Sequence, residues 1–280
     1  MSDVKKCPEG MVYIPEGRFR MGSTNGDSDE QPVHDVYVSG FCMDQHEVTN
    51  AEYSGYQSAD PTFELIATSC KGGAKSVIAR GDDPKALAKK NKAKLDGEKV
   101  CALEVKDVTS KAVDGSPSPR GFDGLHQPVV NVDWHEAKAF CESQGKRLPT
   151  EAEWEKAAKG PEGYDYGTKS GKLNHREAHY DAEATADVCS YPENGYGLCD
   201  MSGNVWEWMA DWYDDDAYSS MESRDPEGPS EGEYKVLRGG SWLNNNPRNL
   251  RAALRLNSRP GYDNYYIGFR CVSAPQDSKE

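Results

Sequence analysis

Short stretches of alternating apolar and polar residues mark the beginning of the chain. Met11-Val-Tyr-Ile-Pro15 and Gly17-Arg-Phe-Arg-Met21-Gly22 predict two short strands around a turn, and His34-Asp-Val-Tyr-Val38 predicts a third. Such alternation places every second side chain on the same face of a sheet. Val129-Val-Asn-Val132, rich in β-branched residues, predicts another strand later in the chain. The pattern indicates many short extended elements.

Three helix starts are marked by capping boxes. In a capping box, the side chain of a Thr or Asp accepts a free backbone amide of the first turn, and the side chain of a Glu three residues later accepts the backbone amide of that Thr or Asp. The predicted helices begin near Asn50, after Asp133 and after Thr150. Gly145 and Gly160 end the second and third of them. Short helices among short strands favour a mixed α+β fold over a helical bundle.

Residues 57–126 differ in character from the rest, because they are rich in Lys, Ala, Ser and Gly. We interpret this stretch as an insertion into a single domain that spans residues 7–275. A disulfide between Cys70 and Cys101 would hold the insertion together. No residue within it suggests chemistry.

The chain of 280 residues has a net charge of -14, with 36% hydrophobic and 29% charged residues. We expect no nucleic-acid partner, because no basic surface is evident that could displace counterions from phosphates. No apolar run approaches the ~20 residues that span a bilayer, so no membrane span is expected. Met1–Lys6 is too short and too polar for a signal peptide. If the protein is exported, we therefore expect this sequence to start after the signal peptide.

The even number of cysteines predicts a disulfide framework. None of them forms a CxxC pair, which argues against zinc ribbons and thioredoxin-like sites. A disulfide framework implies an oxidising, extracytoplasmic compartment, whether periplasmic, cell-surface or secreted. Cys189 and Cys199 flank a turn segment and could close a short loop, whereas spacing alone leaves the other pairings open. The eight cysteines are Cys7, Cys42, Cys70, Cys101, Cys141, Cys189, Cys199 and Cys271.

Several ordered motifs resemble the sulfatase-modifying-factor family. They are Gly145-Lys-Arg-Leu-Pro-Thr-Glu-Ala-Glu-Trp-Glu155, Asn194-Gly-Tyr-Gly-Leu, Gly203-Asn-Val-Trp-Glu-Trp208, Arg238-Gly-Gly-Ser241 and Gly268-Phe-Arg-Cys271. The resemblance implies the formylglycine-generating-enzyme fold: mixed α+β, related to C-type lectins, rich in irregular structure and disulfide-stapled. It also implies a disulfide between Cys141 and Cys271.

The resemblance implies a calcium ion in the Gly-Asn-x-Trp-Glu loop. Carried over to this chain, its ligands are Asp200, the backbone carbonyls of Gly203 and Val205, and Glu207. The residue types agree, since two carboxylates supply hard oxygen ligands and a glycine lets backbone carbonyls turn inward. Calcium is therefore the expected cofactor.

The copper site of the family is not expected here. Formylglycine-generating enzymes oxidise a sulfatase cysteine with oxygen and copper(I), which two cysteines bind just after Arg-Gly-Gly-Ser. The matching positions in this chain are Asn244 and Asn249. Copper(I) is soft and selects thiolates, so a neutral amide oxygen does not replace them. His175 and His179 have i,i+4 spacing, but they lie in a predicted loop.

Two functions remain open at this point. The first is a calcium-stabilised module that binds a protein, peptide or glycan through amides, arginines and an aromatic ring. The alternative is a divergent metal-dependent oxidoreductase of the same family, which modifies a peptide or small molecule. The predicted ligand pocket consists of Ser241, Trp242, Asn244, Asn245, Asn246, Arg248 and Arg251.

Overall fold

A computed structural model of the chain describes residues 6–59, 62–69, 74–80, 100–107 and 121–276. The chain divides into two compact units, Met1–Asn50 with Ser118–Glu280, and Ala51–Pro117. The boundaries of the second unit differ from the insertion predicted at 57–126, because residues 121–126 belong to the larger unit.

The elements are short, and much of the chain is irregular. The helices are α1 (Asn50–Ala59), α2 (Trp134–Ser143), α3 (Glu151–Lys159) and α4 (Ala217–Ser220), with 3-10 turns at Ser28–Glu30 and Pro247–Leu250. The strands are β1 (Met11–Ile14), β2 (Gly17–Met21), β3 (His34–Val38), β4 (Phe41–Asp44), β5 (Thr62–Ser69), β6 (Ala74–Arg80), β7 (Val100–Asp107), β8 (Trp206–Trp212), β9 (Lys235–Arg238), β10 (Leu256–Ser258), β11 (Ile267–Gly268) and β12 (Val272–Ser273).

Three small sheets form the framework of the larger unit. Their strand orders are β1-β4-β12, β10-β9-β8-β11 and β2-β3. All of these pairs are antiparallel except β8 with β11, which run parallel with Ile267 opposite Trp206. The strands β1 and β2 flank a turn, as predicted, but they do not pair with each other because β1 joins β4 and β2 joins β3.

The smaller unit has an antiparallel sheet in the order β6-β5-β7. Cys70 lies outside the described residues, so the Cys70–Cys101 disulfide stays a prediction.

The predicted helix caps of α2 and α3 are confirmed. The side chain of Asp133 accepts the amide of Glu136, and that of Thr150 accepts the amide of Glu153. In both boxes the glutamate side chain accepts the backbone amide of the cap residue. The strand predicted at Val129–Val132 is wrong, because Asn131 has a φ of 56° and interrupts the extended run. That segment instead attaches through single backbone bonds, such as Val129 N–H to the carbonyl of Val48 at 2.8 Å.

Helix α3 lies at the centre of the larger unit, and all nine of its residues are buried. Trp154 is fully enclosed within the main apolar core, beside residues such as Met209 and Val236. The two lysines of α3 are buried, but each has a hydrogen-bond partner. Lys156 donates to the carbonyl of Pro15 at 2.5 Å and Lys159 to that of Gly22 at 2.9 Å. These bonds fasten α3 to the backbone around β2 and satisfy the desolvated cations.

Disulfides cross-link distant parts of the larger unit. The pairs are Cys7–Cys42, Cys141–Cys271 and Cys189–Cys199, with Cα–Cα distances of 5.6, 5.7 and 5.0 Å. The pair that the family resemblance implies and the short loop between Cys189 and Cys199 are both present. The mixed, irregular and disulfide-stapled fold class is confirmed. Within the described ranges, no helix has the length and apolarity needed to cross a membrane.

Candidate functional site

The predicted calcium loop is a tightly turned segment between Asp200 and Glu207. Three of its residues have left-handed backbone angles, with φ of 59° at Asp200, 108° at Gly203 and 58° at Asn204. A side chain at Gly203 would meet the carbonyl oxygen of His179 at 2.2 Å, so only glycine fits there. The loop therefore depends on this glycine, as the sequence motif indicates.

Glu207 leaves the loop and enters a fully buried ion pair. Its Oε2 accepts Arg270 Nε at 2.8 Å and its Oε1 accepts Arg270 Nη2 at 2.9 Å. The indole N–H of Trp154 donates to the same carboxylate at 3.0 Å. Arg270 also donates to the carbonyls of Gln45 and Cys199, so it joins three segments of the chain. Both oxygens of Glu207 are thus occupied by protein donors.

Two more carboxylates bring surplus negative charge to this place. Glu47 is fully buried, its two oxygens have no hydrogen-bond partner within the described part of the chain, and Oε2 lies 4.0 Å from Arg270 Nη2. Burial, followed by the nearby charge of Asp200, raises the pKa of Glu47 well above its usual range. Burial also raises the pKa of Asp200 to about 6. One guanidinium therefore faces three carboxylates, which we call the acidic centre: Glu47, Asp200 and Glu207.

A cation fits the charge of the acidic centre. An unpartnered buried carboxylate costs free energy that a bound cation would offset. Asp200 carries a hydrogen bond from the amide of Cys189 at 2.8 Å, whereas Glu207 is bound by Arg270 on both oxygens. Within the described residues, no three His, Cys, Asp or Glu side chains converge as a metal-binding group. A calcium ion here would therefore depend on backbone carbonyls, as in the predicted ligand set.

The segment that the resemblance matches to the family's copper ligands forms a closed turn. The amide oxygen of Asn244 accepts the backbone N–H of Ser241 at 2.8 Å and its hydroxyl at 3.2 Å. Ser241 is buried and Asn249 is half-buried. The oxygen of Asn244 thus acts as a local turn acceptor, which is a structural role and not that of a soft-metal ligand.

The structure separates the predicted pocket residues into two groups. Ser241, Trp242 and Asn244 lie together in the turn, and the indole N–H of Trp242 donates to the carbonyl of Tyr265 at 3.0 Å. The two arginines reach instead toward residues 27–30. Arg251 forms a two-fold pair with buried Glu30 at 2.5 and 2.7 Å.

The other pocket residues are on the surface. Arg248 lies 3.1 Å from the carboxylate of Asp27, and both side chains are mostly exposed. Asn245 and Asn246 are exposed as well, and Asn246 caps the following 3-10 turn by accepting the amide of Arg248. This part of the predicted pocket therefore offers exposed amide groups beside an arginine that is already paired.

His175 and His179 do not share a ligand position. His175 stacks on Tyr180 with ring centroids 4.1 Å apart, whereas His179 contacts the carbonyl of Ala184 at 2.8 Å and the hydroxyl of Tyr191 at 3.1 Å. The segment is irregular, as expected.

Sequence reasoning missed Glu47 and Arg270 as members of this site. Arg270 lies in the recognised motif Gly268-Phe-Arg-Cys271, whereas Glu47 follows the polar stretch Asp44-Gln-His46. Neither residue lies in a strand, and no local sequence pattern marks either one as a buried charge.

Comparison with known proteins agrees with this geometry. A model of the sulfatase-modifying factor enzyme 1-like domain matches residues 1–275. The chain belongs to the sulfatase-modifying-factor family. It is 32% identical over 290 residues to a formylglycine-generating enzyme of Streptomyces coelicolor, covering 96% of this chain and 90% of that protein. PvdO from Pseudomonas aeruginosa has the same fold, with a TM-score of 0.66, 26% identity and coverage of 94% and 93%.

Another relative of the chain is named as a protein kinase. The chain is 35% identical over 264 residues to the serine/threonine-protein kinase pkn1 of Chlamydia caviae. The match covers 94% of this chain but 37% of the kinase, so the chain spans little more than a third of that relative. Domains of this family therefore occur within longer proteins.

Proposed function

We propose that this protein is an extracytoplasmic, calcium-stabilised binding module of the sulfatase-modifying-factor family that does not form formylglycine through copper. The observation that carries the proposal is the turn at Ser241–Asn244. An amide oxygen closes this turn where the family's copper chemistry needs a thiolate, and the second position is also an amide, Asn249. Neutral amide oxygens are poor ligands for copper(I).

Calcium is proposed for the loop that leads to Glu207. The support is the surplus of buried carboxylates around Arg270 and the unpartnered oxygens of Glu47. The residues that would hold the ion are Asp200 through its carboxylate and Gly203 and Val205 through backbone carbonyls. Glu207 would be the second carboxylate, through lone pairs that Arg270 and Trp154 leave open. The ion would supply charge compensation and rigidity, as calcium does in other oxygen-rich loops.

An oxidising compartment is proposed because of the disulfides. Disulfides persist outside the cytosol and are rare within it. The ligand is proposed to be a protein, peptide or glycan, held at the turn by Trp242 and the exposed amides of Asn245 and Asn246. Aromatic surface beside amide groups suits stacking combined with hydrogen bonds.

Elemental mass spectrometry of tag-free protein, purified without chelator, tests the proposal. We expect one calcium per chain, neither copper nor iron, and a lower Tm after mild chelation. A sulfatase-derived cysteine peptide should stay unmodified in the presence of copper(I) and oxygen. Near-stoichiometric copper or iron together with oxygen uptake would overturn the proposal in favour of the divergent metal-dependent oxidoreductase.

Two double variants at Asn244 and Asn249 test the proposal that the protein does not bind copper(I). Asn244→Cys/Asn249→Cys places thiols at both family positions and should gain copper(I) binding in competition with a chromogenic chelator. The matched Asn244→Ala/Asn249→Ala variant has no thiol and should behave like the unmodified protein. Equal copper(I) retention by the unmodified protein and the cysteine variant would contradict the proposal.

A further inference from the structure

A cleft of about 740 Å³ opens in the larger unit, lined by residues other than those of the acidic centre and the Ser241–Asn244 turn. Its walls come from the β3–β4 turn, helix α2, residues 147–153, the end of β8, residues 225–230, the start of β9 and residues 273–274. Its volume is in the range of sites that hold small ligands.

Two indole rings form the aromatic wall of the cleft. Trp134 and Trp212 are half-buried, with ring centroids 6.3 Å apart and planes inclined by 26°. The amine of Lys235 lies 4.1 Å and 3.7 Å from the two ring centroids and donates to the carbonyl of Ala210 at 2.7 Å. The lysine therefore fixes both rings from one side, which makes the wall rigid.

The cations that line the cleft already have partners. Lys138 pairs with Glu142, and Arg147 forms a two-fold pair with Glu153 at 2.6 and 2.7 Å. Lys235 is enclosed by the two indoles. An anionic ligand would have to break one of these arrangements, so the cleft does not favour one.

Three polar groups of the lining remain uncommitted. Among the described residues, neither the indole N–H of Trp212, nor the carboxylate of Glu227, nor the hydroxyl of Ser230 has a hydrogen-bond partner. They offer one donor, one strong acceptor and one group that can do both. A ligand with several hydroxyl groups matches this set, because a carboxylate accepts hydroxyl donors well.

We propose that this cleft binds a neutral oligosaccharide. A sugar ring has an apolar C–H face that packs on indole and an edge of hydroxyls that bonds to Glu227, Ser230 and the indole N–H of Trp212. The single uncommitted carboxylate serves hydroxyl donors, and the paired cations leave no site for an acidic group. This inference does not depend on the calcium or the copper proposal.

Titration with neutral tetrasaccharides of glucose, xylose, mannose and N-acetylglucosamine, followed by NMR of the tryptophan indole N–H signals, tests the inference. At least one should shift the Trp212 signal. Glu227→Gln should weaken that tetrasaccharide about tenfold, because a hydrogen bond to a charged acceptor is lost. The matched control Glu231→Gln changes an exposed glutamate of the same segment that does not line the cleft, and it should bind like the unmodified protein.

Two outcomes would overturn the inference. One is that no tetrasaccharide shifts the Trp212 signal at any soluble concentration. The other is that tetralysine or tetraglutamate shifts it whereas every sugar fails, which would assign the cleft to a charged peptide. Equal weakening by Glu227→Gln and Glu231→Gln would also contradict the contacts proposed for Glu227. None of these readouts requires a tryptophan variant, so misfolding of such a variant does not affect the test.

Discussion

The acidic centre contains the Arg270–Glu207 pair, and Arg248 with Asp27 forms a second arginine–carboxylate pair, but the two pairs differ in burial. Arg270 is fully buried and holds Glu207 through two hydrogen bonds. Arg248 is mostly exposed and lies 3.1 Å from an equally exposed Asp27. Removing one partner of a buried ion pair strongly destabilises the folded state, whereas an exposed ion pair contributes little to stability.

The difference shows which pair supports the fold of this chain. The buried pair joins the loop of Glu207 to the carbonyls of Gln45 and Cys199, so it holds separate segments of the larger unit together. In the proposed function, the amides of Asn244 and Asn249 replace the thiolates of the copper enzymes, while the buried pair belongs to the scaffold.

The largest effect should come from Arg270→Met. Among the described residues, Arg270 is the only cation that contacts Glu207, so its removal leaves buried carboxylates without compensation. We expect a loss of about 3–5 kcal/mol of unfolding free energy. Arg248→Met should change the same quantity by less than about 1 kcal/mol. Urea unfolding followed by tryptophan fluorescence measures both. Similar losses for the two variants would show that burial does not distinguish the pairs.

Removing disulfides tests which cross-links support the buried centre. Cys141 and Cys271 are 130 residues apart, whereas Cys189 and Cys199 are 10 residues apart. In the chain-entropy model the longer loop stabilises by about 2 kcal/mol more, so Cys141→Ala/Cys271→Ala should lose more stability than Cys189→Ala/Cys199→Ala. Calorimetry of both double variants at one calcium concentration measures the difference. The reverse order would mean that local structure outweighs loop entropy.

Local signals predicted much of the fold, while the buried centre required tertiary structure. The caps of α2 and α3 were readable because a capping box depends on residues three positions apart. The strand predicted at Val129–Val132 failed because the left-handed angle at Asn131 is set by its surroundings. Glu47 and Glu207 are brought to the same guanidinium from opposite ends of the chain, which no local pattern reveals. The oligosaccharide cleft was missed for the same reason, since seven separate segments line it.

A pH effect should come from Asp211, which is buried at the end of β8. Burial, followed by the charge of Glu151, raises the pKa of Asp211 to about 8. The unfolded chain loses this proton near pH 4. Between about pH 4 and 8 the folded state therefore binds one more proton, and stability falls as pH rises, by at most about 1.4 kcal/mol per pH unit.

Asp211→Asn removes that titration while keeping an acceptor for the amide of Glu151. Its Tm should fall less between pH 5 and 7.5 than that of the unmodified protein. Asp215→Asn, at an exposed position nearby, is the control and should follow the unmodified protein. Parallel curves for all three proteins would assign the pH dependence to other groups.

The smallest effect concerns Asn244, which closes the Ser241–Asn244 turn. Asn244→Ala removes the acceptor of both the Ser241 amide and its hydroxyl, and the buried amide is left unsatisfied. We expect a loss of about 1–2 kcal/mol, because two neutral hydrogen bonds are removed and each contributes about 1 kcal/mol. Asn249→Ala is the matched control, since no described side-chain hydrogen bond is lost there. Urea unfolding resolves the two variants. A larger loss of unfolding free energy for Asn249→Ala would show that Asn249, not Asn244, has the structural role. The argument that a turn-closing amide replaces a copper-binding thiolate would then apply to Asn249.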